Sequence, residues 1–77
     1  MAAVTRSQLN ILRFLEGQGD VPMGEIVDFC QCSRANVTIH IIHLVDAGMV
    51  QRRENPDNRR EKIVALTKAG ANYMKKQ

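Results

Sequence analysis

Arg59 and Arg60 stand side by side, Lys62 follows two residues later, and Arg52 and Arg53 precede them across the run Asn55-Pro56-Asp57-Asn58. Guanidinium and ammonium groups gathered in so short a segment suit the binding of phosphates or carboxylates. Arginine in particular offers a planar fork of donors that matches such groups bidentately. The cations are bracketed by short apolar runs, Met49-Val50 before and Ile63-Val64-Ala65-Leu66 after, with turn formers between, which reads as a β-hairpin. A hairpin tip buries little, so arginines there add little stability. Five cations on one hairpin also repel one another, an arrangement that costs stability unless a polyanion relieves it. Glu54, Asp57 and Glu61 offer the alternative of surface ion pairs, each worth little.

A second set of candidates lies upstream. Ser33, Arg34, Ala35, Asn36, Thr38, Ile39 and His43 fall on the N-terminal and outward faces of a helix expected from about residue 34 to residue 47. A DNA major groove admits a helix. Arginine pairs there with guanine and asparagine with adenine, while Ala, Thr or Ile methyl groups meet the thymine methyl. The N-terminus of the helix offers free amides to phosphate. Any exposed amphipathic helix presents a mixed set of this kind, so the helix alone decides nothing. Beside an arginine-bearing hairpin it makes one coherent docking, because a narrow minor groove attracts inserted arginine. On this reading Arg34, Asn36, Thr38 and Ile39 contact base edges. Ser33, Arg52, Arg53 and Lys62 hold phosphates, and Arg60, helped by Arg59, enters the minor groove.

Charge placement agrees. The chain has 77 residues and a net charge of +3. Residues 1–33 carry two basic against four acidic side chains, net −2, and residues 34–77 carry nine against four, net +5. The positive field therefore lies on the C-terminal half, which favours a polyanionic partner there, the alternative being a solvated basic face. Three aromatic residues are too few to stack single strands, so double-stranded DNA is the expected partner. No apolar run approaches the roughly 18 residues of a membrane span, and the N-terminus lacks a signal pattern. A soluble, cytoplasmic protein with no membrane partner is expected.

Catalysis is not expected. There is no glycine-rich phosphate loop and no nucleophile with an evident base, so no catalytic residue and no cofactor are assigned. Cys30, Cys32, His40 and His43 are ligand types for zinc, but C-x-C is tighter than the usual spacing. Core packing suits the two cysteines better, and they are too close in sequence to bridge easily. A redox-sensing thiol would need a depressed pKa, which nothing in the sequence indicates. No metal site is assigned.

The elements that must position these residues are sharply punctuated. Thr5-Arg6-Ser7-Gln8 reads as a capping box opening a helix with a Leu9, Leu12, Leu15 stripe and Ile11 beside it, closed by Gly17 and Gly19. Asp20 to Met23 reads as an extended connector, since the residue before proline avoids the helical region. A second helix is expected over 24–31, with Ile26, Val27 and Cys30 inward. Ser33 caps the third helix, whose core stripe is Val37, His40/Ile41 and Leu44, and Gly48 stops it. Strands follow at 49–53 and 61–66, and Thr67 caps a last short helix. The fold class is mainly α with a small β-hairpin. It is a winged helix-turn-helix of three helices, a two-stranded wing and a short C-terminal helix, forming one domain over residues 1–77.

The run SRANVTIHIIHLVDAGMVQRRENPDNRREKIVALTKAG resembles the DNA-binding core of the MarR (multiple antibiotic resistance regulator) family of bacterial and archaeal transcription factors. The preceding VTRSQLNILRFLEGQGDVPMGEIVDFCQCS resembles the two helices that come before it there. The likeness covers roughly residues 4 to 71, and the "RR" of the wing with the trailing "LTKAG" is its most specific part. It implies sequence-specific binding of duplex DNA, usually to palindromes and as a repressor. It aligns Arg60 with the family's minor-groove arginine and residues 33–39 with its recognition-helix N-terminus. The sequence departs from the family in four ways. Asn58 stands where an aspartate commonly steadies that arginine. Phe29 and Ile42 fall at usually polar positions, and Ile39 where a basic residue is common. The flanking helices that build the family dimer have no room here, so that dimer, and the ligand pocket near it, are not expected in their usual form. Phe29, Ile42, Tyr73 and Met74 are the candidates for a different homodimer surface, and no small-molecule effector is specified. The alternative reading is a winged-helix module that docks on another protein.

Overall fold

The computed structural model describes residues 4–77. Along the chain run α1 (Arg6–Leu15), β1 (Val21–Pro22), α2 (Met23–Cys30), α3 (Arg34–Asp46), β2 (Val50–Asn55), β3 (Asn58–Leu66) and α4 (Lys68–Lys75). This is the winged helix arrangement, mainly helical with a small hairpin wing.

The capping box of α1 is present. Thr5 Oγ1 accepts the Gln8 N–H at 3.1 Å, and Gln8 Oε1 accepts the Thr5 N–H at 3.3 Å. Ile11, Leu12 and Leu15 are fully buried, whereas Leu9, expected on that stripe, is half-buried. Gln8 takes an inward position instead, at 5% exposure. Burying an amide is tolerable when every polar group finds a partner. Its oxygen is committed to the cap, so its NH₂ group faces α3, where it lies 3.3 Å from His40 Nδ1 and 3.4 Å from His43 Nδ1. The two amide hydrogens suffice for one contact with each ring.

Helix α2 begins one residue earlier than expected, with Pro22 as its cap residue. It closes at Gln31, whose φ of 53° is left-handed. That conformation costs a non-glycine residue about 1 kcal/mol and swings the chain into the next helix. Ser33 Oγ then accepts the Asn36 N–H at 3.1 Å and caps α3. Val37, Ile41 and Leu44 are buried. His40, expected on this stripe, sits half-buried at its edge against Gln8. At the far end the Gly48 N–H donates to Val45 O and the Met49 N–H to Leu44 O, each at 2.9 Å. This paired closure needs a left-handed residue at Gly48, whose φ is 77°.

The extended connector at Val21-Pro22 is a strand. It pairs antiparallel with Val64 and Ile63, so the wing strands belong to a three-stranded sheet in the order β1-β3-β2. A two-residue strand has no alternation to read, and it rests on the side of β3 that β2 leaves open. Every element adds to one core, formed by Ile11, Leu12, Leu15, Val21, Met23, Ile26, Val37, Ile41, Leu44, Val50, Val64 and Met74. Met74 is therefore interior, at 5% exposure, and Tyr73 packs half-buried against it. Met74, a candidate for a self-association surface, is thus taken up by the core because α4 folds back onto α1 and the sheet, while Tyr73 keeps part of its side chain exposed.

Helix α4 is locked by its first turn. Thr67 Oγ1 accepts the Gly70 N–H at 3.0 Å and donates to Gly48 O at 2.6 Å. The Thr67 N–H donates to Met49 O at 3.0 Å. Gly70 rides directly on that backbone, since a Cβ there would lie 2.0 Å from Met49 O. Gly70→Ala should therefore cost about 3 kcal/mol of stability by overpacking, read as a lowered urea midpoint. An unchanged midpoint would mean that α4 can move off Met49 freely.

Candidate nucleic-acid interface

The wing carries the candidate cations, and its register decides where they go. Strands β2 and β3 pair regularly from Val50↔Leu66 through Arg52↔Val64, Arg53↔Ile63 and Glu54↔Lys62. The next pair is Asn55↔Asn58. The register jumps between these two, so Arg59, Arg60 and Glu61 have no opposite residue on β2. Such a displaced run kinks its strand and re-aims its side chains. Arg52 and Arg53, expected across from Arg59 and Arg60, lie instead opposite Val64 and Ile63 at the base of the sheet. The displaced residues break the mirror relation that a regular hairpin would impose.

The tip is braced by two asparagines. Asn55 Oδ1 accepts the Asp57 N–H at 2.9 Å, and Asn58 Oδ1 accepts the Arg60 N–H at 3.1 Å. Asn58 thus holds the backbone of Arg60 and leaves its guanidinium alone. Arg59 and Arg60 are exposed, and neither is in an ion pair among the described residues. Asp57, beside them, pairs with no arginine among those residues either.

The other cations are distributed differently. Arg53 crosses β3 to Asp20, to which it donates from both terminal nitrogens, one of them at 3.2 Å. Lys62 Nζ lies 3.5 Å from Glu54 Oε1, and Arg34 Nη1 lies 3.5 Å from Glu61 Oε1. Arg52 is exposed, with no ion pair among the described residues. With Lys62 it lines a groove whose other wall is Ile42, Val45 and Asp46 of α3.

On α3, Ser33, Arg34, Ala35, Asn36 and Ile39 are exposed and Thr38 is half-buried. His43 is exposed on one side, and its other side is held to α1 by Gln8. The outward face is unusually apolar: Ile39, Ile42 and Val45 are 52%, 48% and 42% exposed. Phe29, also exposed, stacks on Phe14 of α1, with ring centroids 4.4 Å apart and planes inclined by 18°.

Cys30 and Cys32 are free thiols, half-buried and packed against the core. Burial pushes the Cys30 thiol up, and the neighbouring Cys32 adds to the shift. Among the described residues no group of three or more His, Cys, Asp or Glu side chains is placed to hold a metal ion.

Sequence reasoning passed over Asp20, Glu61 as the partner of Arg34, and the inward end of Gln8. Only Gln8 carried a signal, its place in the capping box. The two carboxylates meet cations 33 and 27 positions away, distances at which no local pattern operates.

A model described as the MarR family matches residues 4–62. No curated protein matches the sequence. Among solved structures, a mutant E. coli MarR complexed with operator DNA superposes with a TM-score of 0.88 at 25% identity, over 95% of this chain and 52% of that one. A MepR-like protein complexed with pseudoligands gives 0.86 at 28%, over 92% and 50%. A transcriptional regulator from Thermotoga maritima gives 0.86 at 25%, over 95% and 51%. The chain spans about half the length of these structures.

The solvated wing tip leads to a simple expectation. Arg59→Ala and Arg60→Ala should each change the free energy of unfolding by less than about 0.5 kcal/mol. Denaturant titration checks this, and a larger loss would assign either arginine to the fold.

Proposed function

Because the chain belongs to the MarR family, we propose that it is a transcriptional regulator that binds double-stranded DNA sequence-specifically and represses. Residues 1–77 act as one winged helix-turn-helix domain in the cytoplasm. No described helix is long and apolar enough to cross a membrane. The observation that carries the reading is the pair Arg59 and Arg60, displaced from the hairpin ladder and outside every ion pair among the described residues. Two adjacent cations held outward with no protein partner suit a minor groove, whose narrowing deepens its negative potential.

In this docking α3 enters the major groove by its N-terminal half. Arg34, Asn36, Thr38 and Ile39 meet base edges, with Ala35 small enough to let a thymine methyl approach. Ser33, Arg52 and Lys62 hold phosphates. Arg53 contributes only through N–H groups that Asp20 leaves free. His43 presents the exposed edge of its ring to the backbone. Two copies would match a palindromic site, and Phe29 or Ile42 could contribute to their contact.

A second reading, docking on another protein, is favoured by the exposed Ile39, Ile42 and Val45. Apolar faces of this kind commonly mark contact surfaces. Salt separates the two readings: affinity for duplex DNA falls linearly with log salt, with a slope near −0.9 per phosphate neutralised. An apolar protein interface would be nearly indifferent.

Two expectations follow for a duplex selected by the protein from a randomised pool. Arg60→Ala should weaken binding by about 1–3 kcal/mol and lower the salt slope by about one contact. Unaltered affinity in a fluorescence titration would remove the wing from the interface. Asn36→Ala should change which sequence a fresh selection enriches, and a uniform loss across all sequences would demote it to a backbone contact.

A further inference from the structure

Glu61 belongs to the same displaced run as the two arginines, yet its side chain turns back to the helices. Its Oε1 accepts the Gly24 N–H at 2.9 Å and lies 3.5 Å from Arg34 Nη1. Gly24 is in the first turn of α2. Backbone N–H groups there have no partner within their own helix, and the positive end of the helix favours a carboxylate. Arg34 is the first residue of α3, where a cation meets the positive end of its own helix and is disfavoured. Glu61 offsets both problems at once. A single carboxylate thus joins the heads of α2 and α3 to the wing strand.

The pair lies directly against the start of α2: a Cβ on Gly24 would make ordinary van der Waals contact with Glu61 Oε2 at 3.4 Å and Arg34 Nη2 at 3.7 Å. The Glu61 side chain is 24% exposed and that of Arg34 is 55%. A guanidinium so wet adds little stability through the pair. What the pair changes is orientation. A long side chain at the tip of α3 keeps one direction, and its remaining N–H groups stay in solvent.

We infer that Glu61 is a positioning residue for DNA reading. It holds Arg34 at the head of α3 and raises sequence specificity while lowering affinity for duplex DNA in general. The inference rests on the proposed DNA-binding function. It separates two effects that run in opposite directions. Removing a negative charge from a phosphate-facing surface strengthens binding to any duplex. Releasing Arg34 weakens binding only where a base is read.

The experiment begins with selection of a duplex from a randomised pool by the wild-type protein. Dissociation constants are then measured at one salt concentration for that duplex and for a shuffled duplex of equal length and composition. The proteins are wild type, Glu61→Gln, Arg34→Ala and the double variant. Glutamine can still accept the Gly24 N–H, so the fold is retained. Glu61→Gln should bind the shuffled duplex about twofold tighter and the selected one about fivefold weaker, a tenfold loss of discrimination within the range of one base contact. In the Arg34→Ala background the same change should leave discrimination unaltered. Glu61→Asp, which keeps the charge but shortens the reach, should lose discrimination without the gain on shuffled DNA.

Tighter binding of Glu61→Gln to both duplexes alike would overturn the inference. So would an equal loss of discrimination in the Arg34→Ala background. Failure of the wild type to enrich any duplex would overturn the DNA reading itself and the inference with it. That failure appears before any variant is made, so the two are distinguishable.

Discussion

The register jump between Glu54 and Asn55 is the constraint from which the wing's properties descend. Pro56 occupies the first central position of the turn, and its ring fixes φ near −65°. The only described non-glycine residue with positive φ is Gln31, so the turn is not of the primed kind that matches strand twist. Strands leaving such a turn splay. The mismatch is absorbed on one side only, in the three residues that follow Asn58. Two of them, Arg59 and Arg60, are cations that face solvent, and the third, Glu61, reaches the helices. One irregularity thereby presents charge outward and ties the wing inward, with no glycine in the hairpin.

The wing is useful only if the helix beside it is held still, and α3 is fixed at three points along its length. Its head is capped by Ser33 and met by Glu61 through Arg34. Its middle is gripped by the Gln8 amide through two imidazoles. Its tail closes through Gly48 and Met49, and the Met49 carbonyl is in turn the seat of Gly70. Polar fixing of this kind matters because burial holds one side of the helix only. Ile39, Ile42 and Val45 keep about half of their surface in water. The outward face is therefore free to be chosen for contact with a partner, while Val37, Ile41 and Leu44 supply the anchoring burial.

Much of this was legible because caps are local. Thr5, Ser33 and Thr67 each bond within three residues, and Gly48 ends α3 by its own backbone preference. The spacing of Val37, Ile41 and Leu44 located the inward face for the same reason. What escaped reading depends on distant partners or on two-residue events. Val21-Pro22 is too short to alternate, and only its pairing with β3 makes it a strand. His40 fell on the core stripe by spacing, but the neighbour it meets is a buried amide 32 residues away. For Met74, helical spacing could not tell an exposed face from one folded back on α1. In the candidate interface the residue types were readable and their partners were not. Arg53 is engaged by an aspartate that precedes β1, a contact created by the sheet order alone.

That engagement matters because ion pairs decide which cations remain available. Each of the three pairs joins elements that are partly or largely wet, so none contributes much to stability. Their effect is selective. Arg53, Lys62 and Arg34 each face a carboxylate that a phosphate must share or displace, which lowers their attraction for a polyanion. Arg52, Arg59 and Arg60 have no such competitor among the described residues, and they keep their full charge toward solvent. Within the hairpin the free charge is thus concentrated at the wing tip and along the groove between β2 and α3, while Lys68, Lys75 and Lys76 at the last helix also carry no ion pair among the described residues. Under the proposed docking, the uneven field of the hairpin helps to orient an approaching polyanion before contact. In the proposed docking, specificity is left to the side chains at the head of α3.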